Sequence, residues 1–167
     1  MKIELYEALG TILEMMPEAY AFIRGSKDYP EISGQMFLYP IWDGTMVVTD
    51  ILELPSAREA CSEKILGFHI HEGDRCLPSD GDPFGRTGTH FNPDNCPHPE
   101  HAGDFPPLFV NKEGKAFMIF YTDRFFPDQV IGRTVVIHSQ ADDFHSQPSG
   151  DSGTKIACGE IRRTKDY

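Results

Sequence analysis

The chain has 167 residues, 40% of them hydrophobic and 25% charged, the balance of a single compact domain with a buried core. A formal charge of −11 would repel phosphate backbones and anionic lipid surfaces, which argues against nucleic acid and membranes as partners. No apolar run reaches bilayer length, Glu4 and Glu7 interrupt the start where a signal peptide would be apolar, and four cysteines are too few for a disulfide-rich secreted scaffold.

In chain order, Leu5, Leu9, Ile12, Leu13 and Met16 recur at three- and four-residue intervals, and Pro17 ends the run. That spacing predicts a short amphipathic helix, so residues 1–17 read as an N-terminal helical extension to a domain spanning 18–167. Beyond it the period changes to that of strands. Candidates are residues 19–24, the pair 34–42 and 44–54 joined by Asp43-Gly44, residues 65–71, a hairpin within 109–121 that turns at Asn111 to Gly114, residues 132–138, and residues 155–161. Eight strands with little helix predict an antiparallel sandwich or barrel. Residues 73–104 and 139–153, crowded with Gly, Pro, Asp and Asn, read as loops, and loops of this length are usually functional or disordered.

All seven histidines fall between His69 and His145. In "KILGFHIH", Leu66, Phe68 and Ile70 alternate with Gly67, His69 and His71, so both imidazoles leave the strand on one side. Taken alone, this pair fits a metal site or the polar outer face of a half-exposed strand. "IGRTVVIH" sets His138 at a strand end in the same manner, and the loop between supplies His90, His98, His101 and Asp104, with Cys96 in reach. Two imidazoles and a carboxylate within residues 98–104 suit tetrahedral zinc, whereas four converging imidazoles suit copper(II). If His69, His71 and His138 form one set and His98, His101 and Asp104 another, each lacks a ligand. His90 could complete both, one ion on each ring nitrogen.

These motifs resemble the copper/zinc superoxide dismutase family, in its bacterial form. "GFHIHEGDRC" resembles the first copper motif, "GTHFNP" the bridging-histidine motif, "HPEHAGD" the zinc loop, and "GRTVVIHSQADDF" with "SGTKIACGEI" the C-terminal signature, in order from Ala19 to Ile161. The resemblance implies an all-β fold, an eight-stranded antiparallel Greek-key β-barrel, here preceded by the short N-terminal helix. It implies copper on His69, His71, His90 and His138, and zinc on His90, His98, His101 and Asp104. Asp142 takes the place of a carboxylate between His69 and His98, and Cys76 and Cys158 the places of the family disulfide. The implied activity converts superoxide to oxygen and hydrogen peroxide by redox cycling of the histidine-bound copper. His90 then exchanges a proton at its freed nitrogen, the cation at position 155 attracts the anion, and Ser149 bounds the channel.

Three features depart from the family pattern. Lys155 stands where an arginine is usual, keeping the charge but losing the planar fork. The loop 139–153 is shorter than in eukaryotic members, and residues 1–17, Cys61 and Cys96 have no counterpart. Two rival readings have no turnover: a copper/zinc-binding module of the same fold with the same ligands, and a structural zinc-only domain on His98, His101, Asp104 and either His90 or Cys96. The expected compartment is the cytoplasm, with export as the alternative, and a homodimer is the candidate assembly.

Overall fold

A computed structural model describes residues 10, 12, 14–56 and 64–164. Most of the predicted N-terminal helix, and Cys61, lie outside them; within that stretch Gly10, Ile12 and Glu14 are helical and Ile12 is buried. β1 (Ala19–Gly25), β2 (Ser33–Ile41) and β3 (Gly44–Leu52) form an antiparallel meander. The alternation in β1 explains its place: Ala19, Ala21 and Ile23 are fully buried, while Phe22 and Arg24 face out.

β4 (Lys64–Leu66) and β5 (Phe68–His71) are followed after the long loop by β6 (Leu108–Val110) and β7 (Ala116–Thr122). A single helical turn, α1 (Pro127–Val130), precedes β8 (Thr134–His138), β9 (Lys155–Glu160) and the two-residue β10 (Arg162–Arg163). The main sheet runs β5-β8-β9-β1-β2-β3-β7, with β10 beside β1, and β4 pairs with β6 separately. β4 continues into β5 through Gly67, and β6 turns into β7 through a loop closed by the Asn111 N–H to the Lys115 carbonyl at 2.9 Å. The small pair thus joins the two outer strands of the large sheet and curls the whole into the expected antiparallel β-barrel.

Inside the curl, Ile23, Met36, Leu38, Ile51, Phe68, Ile70 and Ile137 belong to one apolar cluster. Each such side chain contributes about 1.5–3 kcal/mol on leaving water. Because side chains alternate, the burial of Phe68 and Ile70 in this core sends His69 and His71 to the opposite face.

Two local expectations are corrected. The strand over 65–71 is split at Gly67, whose N–H donates to the Gln140 carbonyl at 2.7 Å while its own carbonyl accepts from the His138 N–H at 2.9 Å. The first hairpin turns at Trp42-Asp43, where Trp42 takes φ 52°, with Ile41 paired to Gly44. Gly44 is therefore a strand residue, needed for space: a Cβ there would lie 2.2 Å from the Thr122 carbonyl oxygen.

Candidate metal centre

β5 and β8 are neighbours in register, His69 opposite Val136 and His71 opposite Thr134, so His138 at the end of β8 arrives on the histidine face. The 73–104 loop folds back along β5 and is pinned there by backbone bonds, from the Phe91 N–H to the Ile70 carbonyl at 2.8 Å and from the Ile70 N–H to the Gly103 carbonyl at 2.9 Å. This sets His90 opposite His71 and Asp104 opposite His69. Two donor groups result, His69, His71, His90 and His138, and His90, His98, His101 and Asp104; within each, one donor atom per residue lies within 4.8 Å of all the others. All six imidazoles are buried.

The partners of each ring decide which nitrogen faces inward. His71 Nδ1 lies 2.9 Å from the Gly88 carbonyl and His138 Nδ1 3.4 Å from the Gly153 carbonyl, so both Nδ1 atoms donate and both Nε2 atoms carry lone pairs. Those two Nε2 atoms stand 3.3 Å apart. Neutral imidazoles in that pose repel unless a cation lies between them, and neutral is how the site keeps them. Burial pulls His71 well below the usual imidazole range, and burial together with neighbouring imidazoles pulls His138 down to about 3. Burial likewise lowers His69 to about 4, even against its bond to Asp142.

Asp142 spans the two groups. Its Oδ2 lies 2.7 Å from His69 Nε2 and its Oδ1 2.9 Å from His98 Nε2, which turns the opposite nitrogen, Nδ1, of each ring inward, that of His69 buried without a hydrogen-bond partner. Burial pushes the Asp142 carboxyl up, but bonds from both rings and from the Phe144 N–H outweigh it, and the group ends well below the carboxylate range. Gly150 makes room for the bridge: a Cβ on it would come within 2.1 Å of Asp142 Oδ1 and 2.7 Å of His98 Nε2, and its φ is +68°.

His90 is the common member. Its Nδ1 lies 2.7 Å from Asp104 Oδ1 and 3.4 Å from His101 Nδ1, while its Nε2 is buried with no partner on the side of the first group. Asp104 Oδ2 approaches His98 Nδ1 at 3.0 Å and His101 Nδ1 at 3.2 Å. Burial raises the Asp104 carboxyl, yet the bond to His90 and the three surrounding imidazoles bring it below its ordinary value. Imidazole nitrogens and one carboxylate drawn together in two groups that share His90 make a donor set that fits two cations.

The first group opens on a cleft of about 500 Å³ bounded by His71, His90, His138, Pro148, Ser149 and Lys155. Behind it, Cys76 and Cys158 form a disulfide that ties the loop after β5 to β9. Cys96 is a free thiol outside both donor groups, and its backbone is held by the Asn92 side chain. His145 is exposed and belongs to neither group.

Three supports had no sequence signal. The Gln147 amide grips the backbone of His98, accepting its N–H at 3.0 Å and donating to its carbonyl at 2.8 Å. Arg124 donates to the carbonyls of Pro99 and His101, each at 3.0 Å. Asp82 pairs with Lys155 at 2.8 Å. Asp82 and Gln147 lie in the two long polar loops, the hint available for them, and Arg124 lies outside both.

The chain matches the profile of the family described as copper/zinc superoxide dismutase (SODC) over residues 48–161. Among curated relatives, a Cu-Zn superoxide dismutase of Deinococcus radiodurans is 39% identical over 110 residues, covering 56% of this chain and 60% of that protein. Superoxide dismutase (Cu-Zn) 2 of Aquifex aeolicus is 33% identical over 148 residues, covering 79% and 80%. The chain thus spans about 60% of the Deinococcus relative's length and four fifths of the Aquifex one. The solved Cu/Zn superoxide dismutase of Brucella abortus superposes with a TM-score of 0.71 at 23% identity, over 86% of this chain and 99% of that one, a likeness of fold.

Proposed function

The chain belongs to the copper/zinc superoxide dismutase family, and from that footing we propose that it is an enzyme converting superoxide to oxygen and hydrogen peroxide. The observation that carries the proposal is the pair of donor groups meeting at His90. His69, His71, His90 and His138 would hold copper, and His90, His98, His101 and Asp104 would hold zinc. Bound copper supplies a reversible one-electron couple and bound zinc a fixed positive charge.

The remaining tasks fall to the chain's own residues. Asp142 and the Gly88 and Gly153 carbonyls fix the tautomers of His69, His71, His98 and His138, so that lone pairs point inward. Burial keeps His69, His71 and His138 neutral and so ready to ligate. His90 Nε2 is placed to hold a proton beside the cleft. Lys155 places an ammonium on the cleft wall, the group that a small anion would meet there.

Metal analysis after reconstitution, paired with a superoxide-consumption assay, tests the proposal. One copper and one zinc per chain with rapid consumption is expected. Full metal occupancy without turnover would leave a metal-binding module instead.

Among the described residues no helix is long and apolar enough to cross a membrane. The Cys76–Cys158 disulfide supports the exported alternative for the compartment over the cytoplasm, where reducing systems oppose such bonds. A homodimer is supported by the outer face of β7, where Phe117, Ile119 and Tyr121 are 62%, 43% and 39% exposed and Trp42 packs against Tyr121. Sedimentation of the protein with and without Phe117→Lys checks it: a dimer that the substitution dissociates is expected, and a monomer at all concentrations removes the idea.

A further inference from the structure

The side chain of Lys155 is only 14% exposed, and it is not a free cation. Its ammonium has three protons, and three acceptors surround it: Asp82 Oδ2 at 2.8 Å, the Phe84 carbonyl at 3.4 Å and the Gly88 carbonyl at 3.5 Å. All three come from one loop. Asp82 is itself fixed, since its Oδ1 accepts the Phe84 N–H at 2.8 Å and its backbone exchanges two bonds with Ser79, at 2.9 and 3.1 Å. The disulfide that precedes this turn anchors the same loop to β9, three residues beyond Lys155. The pair is therefore held from both sides.

We propose that Asp82 is a positioning residue that occupies Lys155 as an internal anion, so that a small anion entering the cleft must displace a carboxylate before it meets the ammonium. The inference rests on the reading of the cleft as an anion site. It gives the lysine at this position a defined consequence. A guanidinium has five N–H donors in a fixed fork and could hold an aspartate while still presenting donors to a ligand, whereas an ammonium already bonded three ways cannot.

The test is azide binding to the copper- and zinc-loaded protein, followed by the visible absorption of the azide complex. Asp82→Asn is expected to tighten azide about fivefold, the upper range for a partly exposed pair, and to have no effect in a Lys155→Met background. Unchanged or weaker azide binding in Asp82→Asn overturns the proposal. An equal gain in the Lys155→Met background also overturns it, because the effect is then one of general charge. A second readout needs no metal: the Lys155 ammonium signal in a nitrogen-15 spectrum should shift and exchange its protons faster in Asp82→Asn, and an unmoved signal refutes the latch. A loaded wild-type protein that fails to consume superoxide overturns the enzymatic reading alone, since the azide and ammonium comparisons stand apart from turnover.

Discussion

At the scale of single residues, the centre is organised by which nitrogen each imidazole has already committed. Asp142 takes Nε2 of both His69 and His98, so one carboxylate sets a ligand in each donor group. Asp142→Asn keeps the shape but offers one carbonyl oxygen and one NH₂ group, and the NH₂ would face a ring N–H that needs an acceptor. One of the two bonds is then lost, and with it the tautomer that presents Nδ1 inward. Metal affinity should fall about 10–100-fold for at least one ion, measured by competition with a chromogenic chelator. Unaltered retention of both metals would mean that Asp142 does not orient these ligands. Gly150 belongs to the same device, because any side chain there would sit on the bridge.

Elements show where sequence reasoning reaches and where it stops. Alternation locates β1, β3 and β8, because Ile23, Ile51 and Ile137 each face one core and the period of two survives in a single sequence. The same alternation puts His69 and His71 on one face, and the fold keeps them there. The break at Gly67 is not legible, since it depends on backbone bonds to residues about seventy positions away. Nor is the placing of β9 next to β1, or of β7 next to β3, which comes from long-range pairing rather than local pattern. Four cysteines allow three pairings, and only the family resemblance singled out Cys76 with Cys158. Asp82, Arg124 and Gln147 stayed invisible for a related reason. Each is an ordinary polar residue whose partner is fixed by the folding of a loop, and loops carry no period.

Across the whole molecule, the barrel holds its apolar core inside while the metal centre lies on the outside of β5 and β8, roofed by the two long loops. The six imidazoles are buried in the folded structure, and three of them, His69, His71 and His138, make the metal-free protein sensitive to acid. Burial lowers His69 to about 4 and His138 to about 3, with His71 also well below its ordinary value, whereas in the unfolded chain these rings titrate near 6.5. Between those limits the unfolded state binds more protons than the folded one, so folding stability rises with pH. The contribution is complete above pH 6.5, shrinks as the pH falls from there, and is gone once the folded-state values are passed. Asp104 and Asp142, whose folded values are depressed below 3.8, add a further loss at still lower pH. Urea unfolding of the metal-free protein should thus lose several kcal/mol between pH 7 and pH 4. Bound metal competes with these protons, so the loaded protein should hold its stability to a lower pH. A metal-free protein equally stable at pH 7 and pH 4 would mean that the rings are hydrated and that the roof of loops forms only around the ions.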